Sequence, residues 1–313
     1  MQVALPPAAT VHGIAAMNLV SVGEVLWDVI GETEHLGGAP LNFAAHAAKL
    51  GNQALLVSAV GRDERGDRAL AAIDELGLST DYIERLFEQP TGYVTVQLRH
   101  DGQPTFTIHR PSAYDMAELS AKQRDEISRL NPQWIYFGTL AQISSVVRRT
   151  TSMLIDASPS ARCFYDINLR RDSYNRDVVL ELLRATDVLK LNDVEIEAVE
   201  ELLGMRRHDG IEDFCRECAA RFELEAVCVT RGHQGCGLLL GRDYLEAPGY
   251  AVKVVDTIGA GDAFAAGLVH ALSQGWTGKQ AADFANRVGA LVASRPGAIP
   301  SWSVEDLQAL SPV

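Results

Sequence analysis

A chain of 313 residues with 47% hydrophobic and 22% charged side chains is long enough to bury a large core without disulfides or structural metals. Twenty-eight basic against 41 acidic residues give a formal charge of -13, and the densest basic pairs (Arg148-Arg149, Arg170-Arg171, Arg206-Arg207) are short and scattered, which argues against nucleic-acid and membrane-surface partners. Five cysteines, Cys163, Cys215, Cys218, Cys228 and Cys236, form an odd set that does not read as a disulfide framework and fits a reducing, cytoplasmic setting.

Residues 1 to 16 read as an N-terminal extension. The first basic residue is Lys49, so the charged start of a secretory signal is missing, and no apolar stretch reaches the roughly 18 residues of a membrane span. From residue 17 on, short apolar runs alternate with helical patterns: "NLVSVGEVL", "PLNFAAHAAKL", "ALLVSAVG", "DRALAAIDELG", then "WIYFGT", "CFYDIN", "DVLKLN" and "AVCVT". Apolar strands separated by helices predict an α/β fold with a mainly parallel central sheet flanked by helices on both faces. Residues 27 to 37 and 90 to 110 break the pattern. Both are strand-like, the second a hairpin turning at "HDGQ", and together they predict either a small β subdomain over one edge of the sheet or an ordinary edge hairpin. Cys215 and Cys218, spaced i, i+3 in "IEDFCRECAARF", predict apolar packing on a helix rather than a zinc or redox pair.

The sharpest chemical signal is "VVDTIGAGDAFAAGL", residues 254 to 268. "VKVVDT" predicts a strand and "AGDAFAAGLVHALSQG" a helix stopped by Gly275, which puts the glycines at a helix N-terminus. Unpaired N–H groups there hold an anion without lysine or arginine, and Gly259, Ala260 and Gly261 add no bulk against a phosphate. Asp262 falls in the first turn, where the dipole favours its ionised form by about 0.3 to 1 kcal/mol. A carboxylate beside a bound phosphate is a general base for an attacking hydroxyl, a role contributing about 10² to 10⁴ in rate. The alternative is that Asp262 only caps the helix. The chain has no P-loop, no dinucleotide fingerprint after its first strand, no H-E-x-x-H and no G-x-S-x-G.

With "GGAPLNFAAHAAKLG" (37 to 51) and "DTIGAGDAFAAGL" (256 to 268) in this order, the chain resembles the ribokinase-like, or PfkB, family of carbohydrate kinases from about residue 18 to residue 303. The resemblance implies a kinase domain over 17 to 313 with a discontinuous β lid from about 27–37 and 90–110, Asp262 as catalytic base and the amides of Gly259, Ala260 and Gly261 around the transferring phosphoryl group. Its cofactors are ATP and Mg²⁺. "KLNDVE" is similar to the family's N-x-x-E, so Asn192 and Glu195 are implied to organise magnesium and the ATP phosphates, Glu195 through water; alone, the tetrapeptide reads as a helix start capped by Asn192. "VTRGHQG" resembles the nucleotide-side turn and nominates Thr230, Gly232 and Gly235, while Asn286 is implied to flank adenine. Asp256, Ile258, Val292, Arg295, Gly297 and Ser301 fall where relatives bind a potassium-like ion, with Arg295 as a structural partner of Asp256 the other reading.

For the sugar, the resemblance implies Asp28, Gly38 and Asn42, with Asp28 ending the run "VGEVLWD" at the carboxyl end of the first strand. "YDINLR" places Asp166, Asn168 and Arg170 together and looks like the D-x-N-x-R of fructokinases and 2-keto-3-deoxygluconate kinases, with Ile167 where proline is more usual. "HRPSAYD", with Arg110 on the lid strand, leans towards fructokinases. Arg110 and Arg170 suit a sugar-acid carboxylate as readily as a phosphate. The order of expectation is fructose, then 2-keto-3-deoxygluconate, then ribose or a nucleoside. A sensor that binds nucleotide or sugar without turnover is the reading from a different class, and a homodimer through the β lid is the implied assembly.

Overall fold

In the computed structural model, which describes residues 16–98 and 104–310, the apolar runs become strands and the amphipathic runs between them become helices. Strands β1 (Asn18–Val22), β2 (Leu26–Ile30) and β3 (Thr33–Gly37) lead into helix α1 (Ala39–Lys49), followed by β4 (Gln53–Gly61), α2 (Glu64–Glu75), β5 (Ile83–Leu86), β6 (Gly92–Leu98) and β7 (Pro104–Ile108). Next come α3 (Ala121–Leu130), β8 (Trp134–Gly138), α4 (Thr139–Gln142), α5 (Ser145–Ala157), β9 (Arg162–Asp166), α6 (Arg176–Arg184) and β10 (Val188–Asn192). Helices α7 (Ile196–Leu203) and α8 (Ile211–Phe222) precede β11 (Ala226–Thr230), β12 (Cys236–Leu240) and β13 (Asp243–Ala247), and α9 (Ala260–Ser273), α10 (Gly278–Ala293) and α11 (Val304–Gln308) close the described chain.

Nine strands form one sheet in the order β13-β12-β11-β10-β9-β8-β1-β4-β5, parallel from β11 to β5 and antiparallel where β12 and β13 are added at one edge. Each central strand is buried on both faces, so alternate side chains feed two cores. Trp134, Tyr136 and Phe164 pack under α1, α2, α9 and α10, while Ile135, Phe137 and Tyr165 pack under α3, α5, α6 and α8. Phe43 of α1 stacks on Tyr136 with centroids 3.9 Å apart, which fixes that helix over the carboxyl end of β8. The order reverses direction at β1, between β8 and β4, and in open α/β sheets such a switch point is where a ligand crevice lies, beyond the carboxyl ends of the strands.

The two strand-like insertions form a second sheet, β3-β2-β6-β7, in which β2 and β6 are parallel and the other pairs antiparallel. β6 and β7 are the expected hairpin arms; the turn at "HDGQ" lies outside the described residues, as does the extension from 1 to 15. Cys215 and Cys218 are fully buried on α8, where burial pushes the Cys215 thiol up to about 12 and raises that of Cys218 further, so both pack as small apolar groups.

Two strand expectations are corrected. "VKVVDT" is not a strand: with the sheet edge already closed by β13, Val254 and Val255 are 57% and 54% exposed, and the amides of Val255 and Asp256 bond to the Ala293 carbonyl at the end of α10. A β-branched run had no neighbour to pair with. "VGEVLWD" is not one strand either. The chain leaves β1 at Gly23, whose φ of 151° and close approach to Pro40 exclude a side chain, and Asp28 lies inside β2 of the second sheet rather than at the end of β1.

Candidate active site

Parallel strands deliver their carboxyl ends to one edge, and the expected polar residues gather there because each sits at the end of an apolar run. Asp166 ends β9 and faces Lys190 of β10 across the parallel register, Nζ to Oδ2 at 2.6 Å. Asp262, in the first turn of α9, accepts from Asn42 Nδ2 at 2.8 Å, and Asn42 is one turn into α1. Asn42, Asp166, Lys190 and Asp262 are all buried, yet the Oδ1 atoms of Asn42 and Asp166 have no partner. Buried polar atoms left open in this way mark a site built for a polar ligand.

The helix start is shaped for close approach. Gly259 has φ of 77°, and a Cβ there would lie 2.3 Å from the Ala298 carbonyl, so only glycine fits. Gly261 is exposed, while the Ala260 amide spends part of its capacity on the Thr257 carbonyl at 3.3 Å. The 296–302 segment that crowds Gly259 is pinned by His46, one turn along α1 from Asn42. His46 Nε2 bonds the Ala298 carbonyl at 3.0 Å and its Nδ1 accepts from Trp302 at 3.1 Å. Burial lowers the His46 pKa to about 4, so the ring is neutral and this pairing fixes its tautomer.

Electrostatics correct the dipole expectation for Asp262. Burial pushes its pKa up to about 7 and the negative charge of Asp166 adds to the rise, while Lys190, the Asn42 hydrogen bond and Arg170 oppose it. Burial outweighs the helix dipole because removing a carboxylate from water costs several times what the dipole returns. The result is a group that exchanges a proton near neutrality.

On the side of the second sheet, Gly38 (φ 118°) has no room for a Cβ, which would sit 2.3 Å from the Glu24 carbonyl, and Gly37 lies against the Asp28 carboxylate. Glu24 is buried, with Oε2 unpartnered and its pKa raised by burial. Arg110 is beyond the end of β7 rather than on the strand, and its fork is committed: Nε and Nη2 hold the two oxygens of Asp115, and Nη1 donates to the Leu140 carbonyl at 3.2 Å. Arg170 is exposed, donates to the Leu169 carbonyl at 3.3 Å, and lends its charge to Glu24, Asp28 and Asp262. Asn168 precedes it with φ of 37°.

Asn192 and Glu195 form a reciprocal cap. Asn192 Oδ1 accepts the Glu195 amide at 3.0 Å, Glu195 Oε2 accepts the Asn192 amide at 2.9 Å, and Glu195 Oε1 takes the Leu169 amide at 2.6 Å. The pair thereby ties the end of β10 to the loop after β9. Thr230 ends β11, Gly232 and Gly235 (φ 54° and 89°) turn the chain into β12, and Asn286 donates to the carbonyls of Ala247 and Pro248. Asp256 accepts the amides of Ile258 and Gly297 at 3.0 Å each, and the Arg295 amide bonds the Val292 carbonyl. Arg295 is not a partner of Asp256. Its guanidinium reaches the Ser301 carbonyl and Asp306 instead, because Asp256 is already occupied by amides.

Lys190, Glu24 and His46 carry no expectation from sequence. Each was visible as a charge or imidazole inside an apolar run ("DVLKLN", "VGEVL", "NFAAHAAKL"), a placement that is costly unless paired.

The raised Asp262 pKa has a consequence for stability. A carboxyl whose folded pKa exceeds its unfolded value binds more protons when folded, so its contribution falls as pH rises from about 4 to about 7. Asp262→Asn keeps an acceptor for Asn42 and carries no charge. The variant is expected to gain on the wild type between pH 5 and pH 8, by roughly 2 kcal/mol in urea titrations at the two pH values. A constant difference would contradict the buried-carboxylate account.

Comparison with known proteins identifies the family. The chain matches the pfkB family carbohydrate kinase over residues 10–305. Fructokinase-1 of Oryza sativa subsp. japonica is 33% identical over 86% of this chain and 85% of its own, and Fructokinase-1 of Zea mays is 31% identical over the same shares. An uncharacterised sugar kinase from Pyrococcus horikoshii superposes with a TM-score of 0.79 at 26% identity, covering 93% of this chain and 96% of its own. A fructokinase with bound ATP from Xylella fastidiosa shares the fold with a TM-score of 0.83 at 22% identity, over 93% and 97% of the two chains. The chain belongs to the pfkB family of carbohydrate kinases and is a sugar phosphotransferase of that family.

Proposed function

We propose that the protein is an ATP-dependent fructokinase, in which residues 17–313 act as one kinase domain with the second sheet as its lid. The observation that carries the chemistry is Asp262: buried, held by Asn42, and poised near neutral pH at the N-terminus of α9. In its ionised form it takes the proton of a sugar hydroxyl while the amides from Gly259 to Gly261 receive the γ-phosphoryl group. Asp28, Gly38, Asn42, Asp166 and Asn168 hold the sugar. Asn192 and Glu195 would hold Mg²⁺, Glu195 through water; the buried Glu195 carboxylate beside Asp166 and the half-buried Asn192 amide oxygen keep lone pairs beyond the backbone amides they accept. When bound, the ion offsets the charge of the triphosphate. Thr230, Gly232, Gly235 and Asn286 border the nucleotide, and the two segments that Asp256 joins to Gly297, before α9 and after α10, take a potassium-like ion through their carbonyls.

The charge pattern supports a neutral sugar. With Arg110 committed to Asp115, the carboxyl groups of Glu24, Asp28, Asp166 and Asp262 line the crevice against Arg170 and Lys190. A sugar acid would need Arg170, whose exposed guanidinium is the observation that favours 2-keto-3-deoxygluconate as second reading. Five buried free cysteines support a reducing, cytoplasmic setting. Ile30 and Phe106, 38% and 57% exposed on the face of the second sheet that carries Asp28, support a homodimer through that sheet.

With Mg-ATP and fructose, 2-keto-3-deoxygluconate, ribose or adenosine offered separately, ADP release is expected with fructose and to fall at least 100-fold in Asp262→Ala. Turnover confined to the keto acid would move the assignment to the second reading. Unchanged transfer in Asp262→Ala would remove the base, and nucleotide binding without turnover on a wider panel of acceptors would favour a sensor. Light scattering is expected to give a dimer mass, and a monomer at working concentration would refute that assembly.

A further inference from the structure

β10 carries an ammonium in the middle of the apolar run from Val188 to Leu191. Lys190 stands between Leu189 and Leu191, is 6% exposed, and pairs with Asp166 across the register. Burial works against its charge, but Asp166, Asp262 and Glu195 keep its pKa above the ordinary lysine value. A buried ion pair seldom outdoes an apolar pair of equal volume in stability, so stability alone does not account for it.

Three features say what the ammonium faces. A methyl group built on Gly261 would lie 3.5 Å from Nζ, which puts the charge against the first turn of α9. That turn is the positive end of a helix dipole and Gly261 is exposed on it, so the ammonium and the helix start present two positive groups to one place. Asp166 Oδ2 accepts one of the three donors of the ammonium, which leaves donors for a further acceptor beside that turn.

Resting on the phosphotransfer reading above, we propose that Lys190 is a further catalytic residue, whose ammonium donates to oxygens of the γ-phosphoryl group as it passes from ATP to the sugar. In that step the hydroxyl gives its proton to Asp262, its oxygen bonds to phosphorus, and the bond from phosphorus to the β,γ-bridging oxygen breaks with its electron pair leaving on ADP. Lys190 keeps its proton and offsets the charge spread over the equatorial oxygens. Asp166 is the positioning residue that aims it.

The test uses Lys190→Met, Lys190→Gln and Lys190→Arg in the full chain, with steady-state kinetics on the accepted sugar and calorimetric binding of Mg-ADP and of the non-hydrolysable Mg-AMP-PNP. In Lys190→Met, kcat is expected to fall about 100-fold with the sugar KM within about threefold. AMP-PNP affinity should drop about tenfold relative to ADP, and Lys190→Arg should recover part of both losses. Should the methionine variant fail to fold, Lys190→Gln, which retains a donor for Asp166, carries the same comparison. A kcat within about threefold of wild type, or equal losses of ADP and AMP-PNP affinity, overturns the proposal. Failure of the wild type with every sugar would sink the phosphotransfer reading, while the nucleotide comparison would still decide whether Lys190 meets the γ-phosphoryl group.

Discussion

The site depends on the burial of one carboxylate. Asp262 is 8% exposed at the start of α9, and water's absence there raises its pKa from 3.8 to about 7, a shift that an exposed aspartate in a first turn would not show. What keeps it from staying protonated altogether is local: the Asn42 amide at 2.8 Å and the nearby Lys190 ammonium. Each arrives from a different element, α1, β10 and α9, and each element is fixed by packing rather than by the polar contacts. Phe43, the neighbour of Asn42, stacks on Tyr136; Lys190 sits in a strand buried on both faces. The hydrophobic core therefore sets the distances on which the polar cluster relies, and the buried carboxyl costs stability as it ionises.

A second consequence is directional. The parallel strands point their carboxyl ends at one edge, where Asp166, Asn192 and Thr230 are the last residues of β9, β10 and β11, while Asp28 comes from the second sheet. The helix start at Gly259 lies between them, crowded from behind by Ala298 and tied through His46 to α1. On the phosphotransfer reading proposed above, donor and acceptor meet where backbone amides and the buried Lys190 supply the positive field, an arrangement that needs little reorganisation as charge moves.

Much of this was legible in the sequence for a physical reason. Doubly buried strands leave uninterrupted apolar runs, so β8, β9, β10 and β11 announce themselves, and the glycines of 259–261 mark a place where backbone must approach something closely. What stayed hidden depends on partners distant in sequence. "VKVVDT" has strand propensity but no strand beside it, and Asp28 belongs to a different sheet from the run that contains it. Arg110 looked free until Asp115, five residues on, was seen to occupy its fork. Lys190 is an unremarkable letter until the β9–β10 register sets it against Asp166. Conversely, the plain reading of N-x-x-E as a cap is what the hydrogen bonds of Asn192 and Glu195 display, and that cap is also what holds the Leu169 amide beside the site.

The most direct test of the central claim is infrared difference spectroscopy of the wild type against Asp262→Asn, following the carbonyl stretch of the protonated Asp262 carboxyl from pH 4 to pH 9. The account predicts that this band is present in the acidic range and disappears with a midpoint near about 7. Loss of the band near pH 4, the range of an exposed aspartate, would mean that the carboxylate is solvated, and the argument from burial would fail with it.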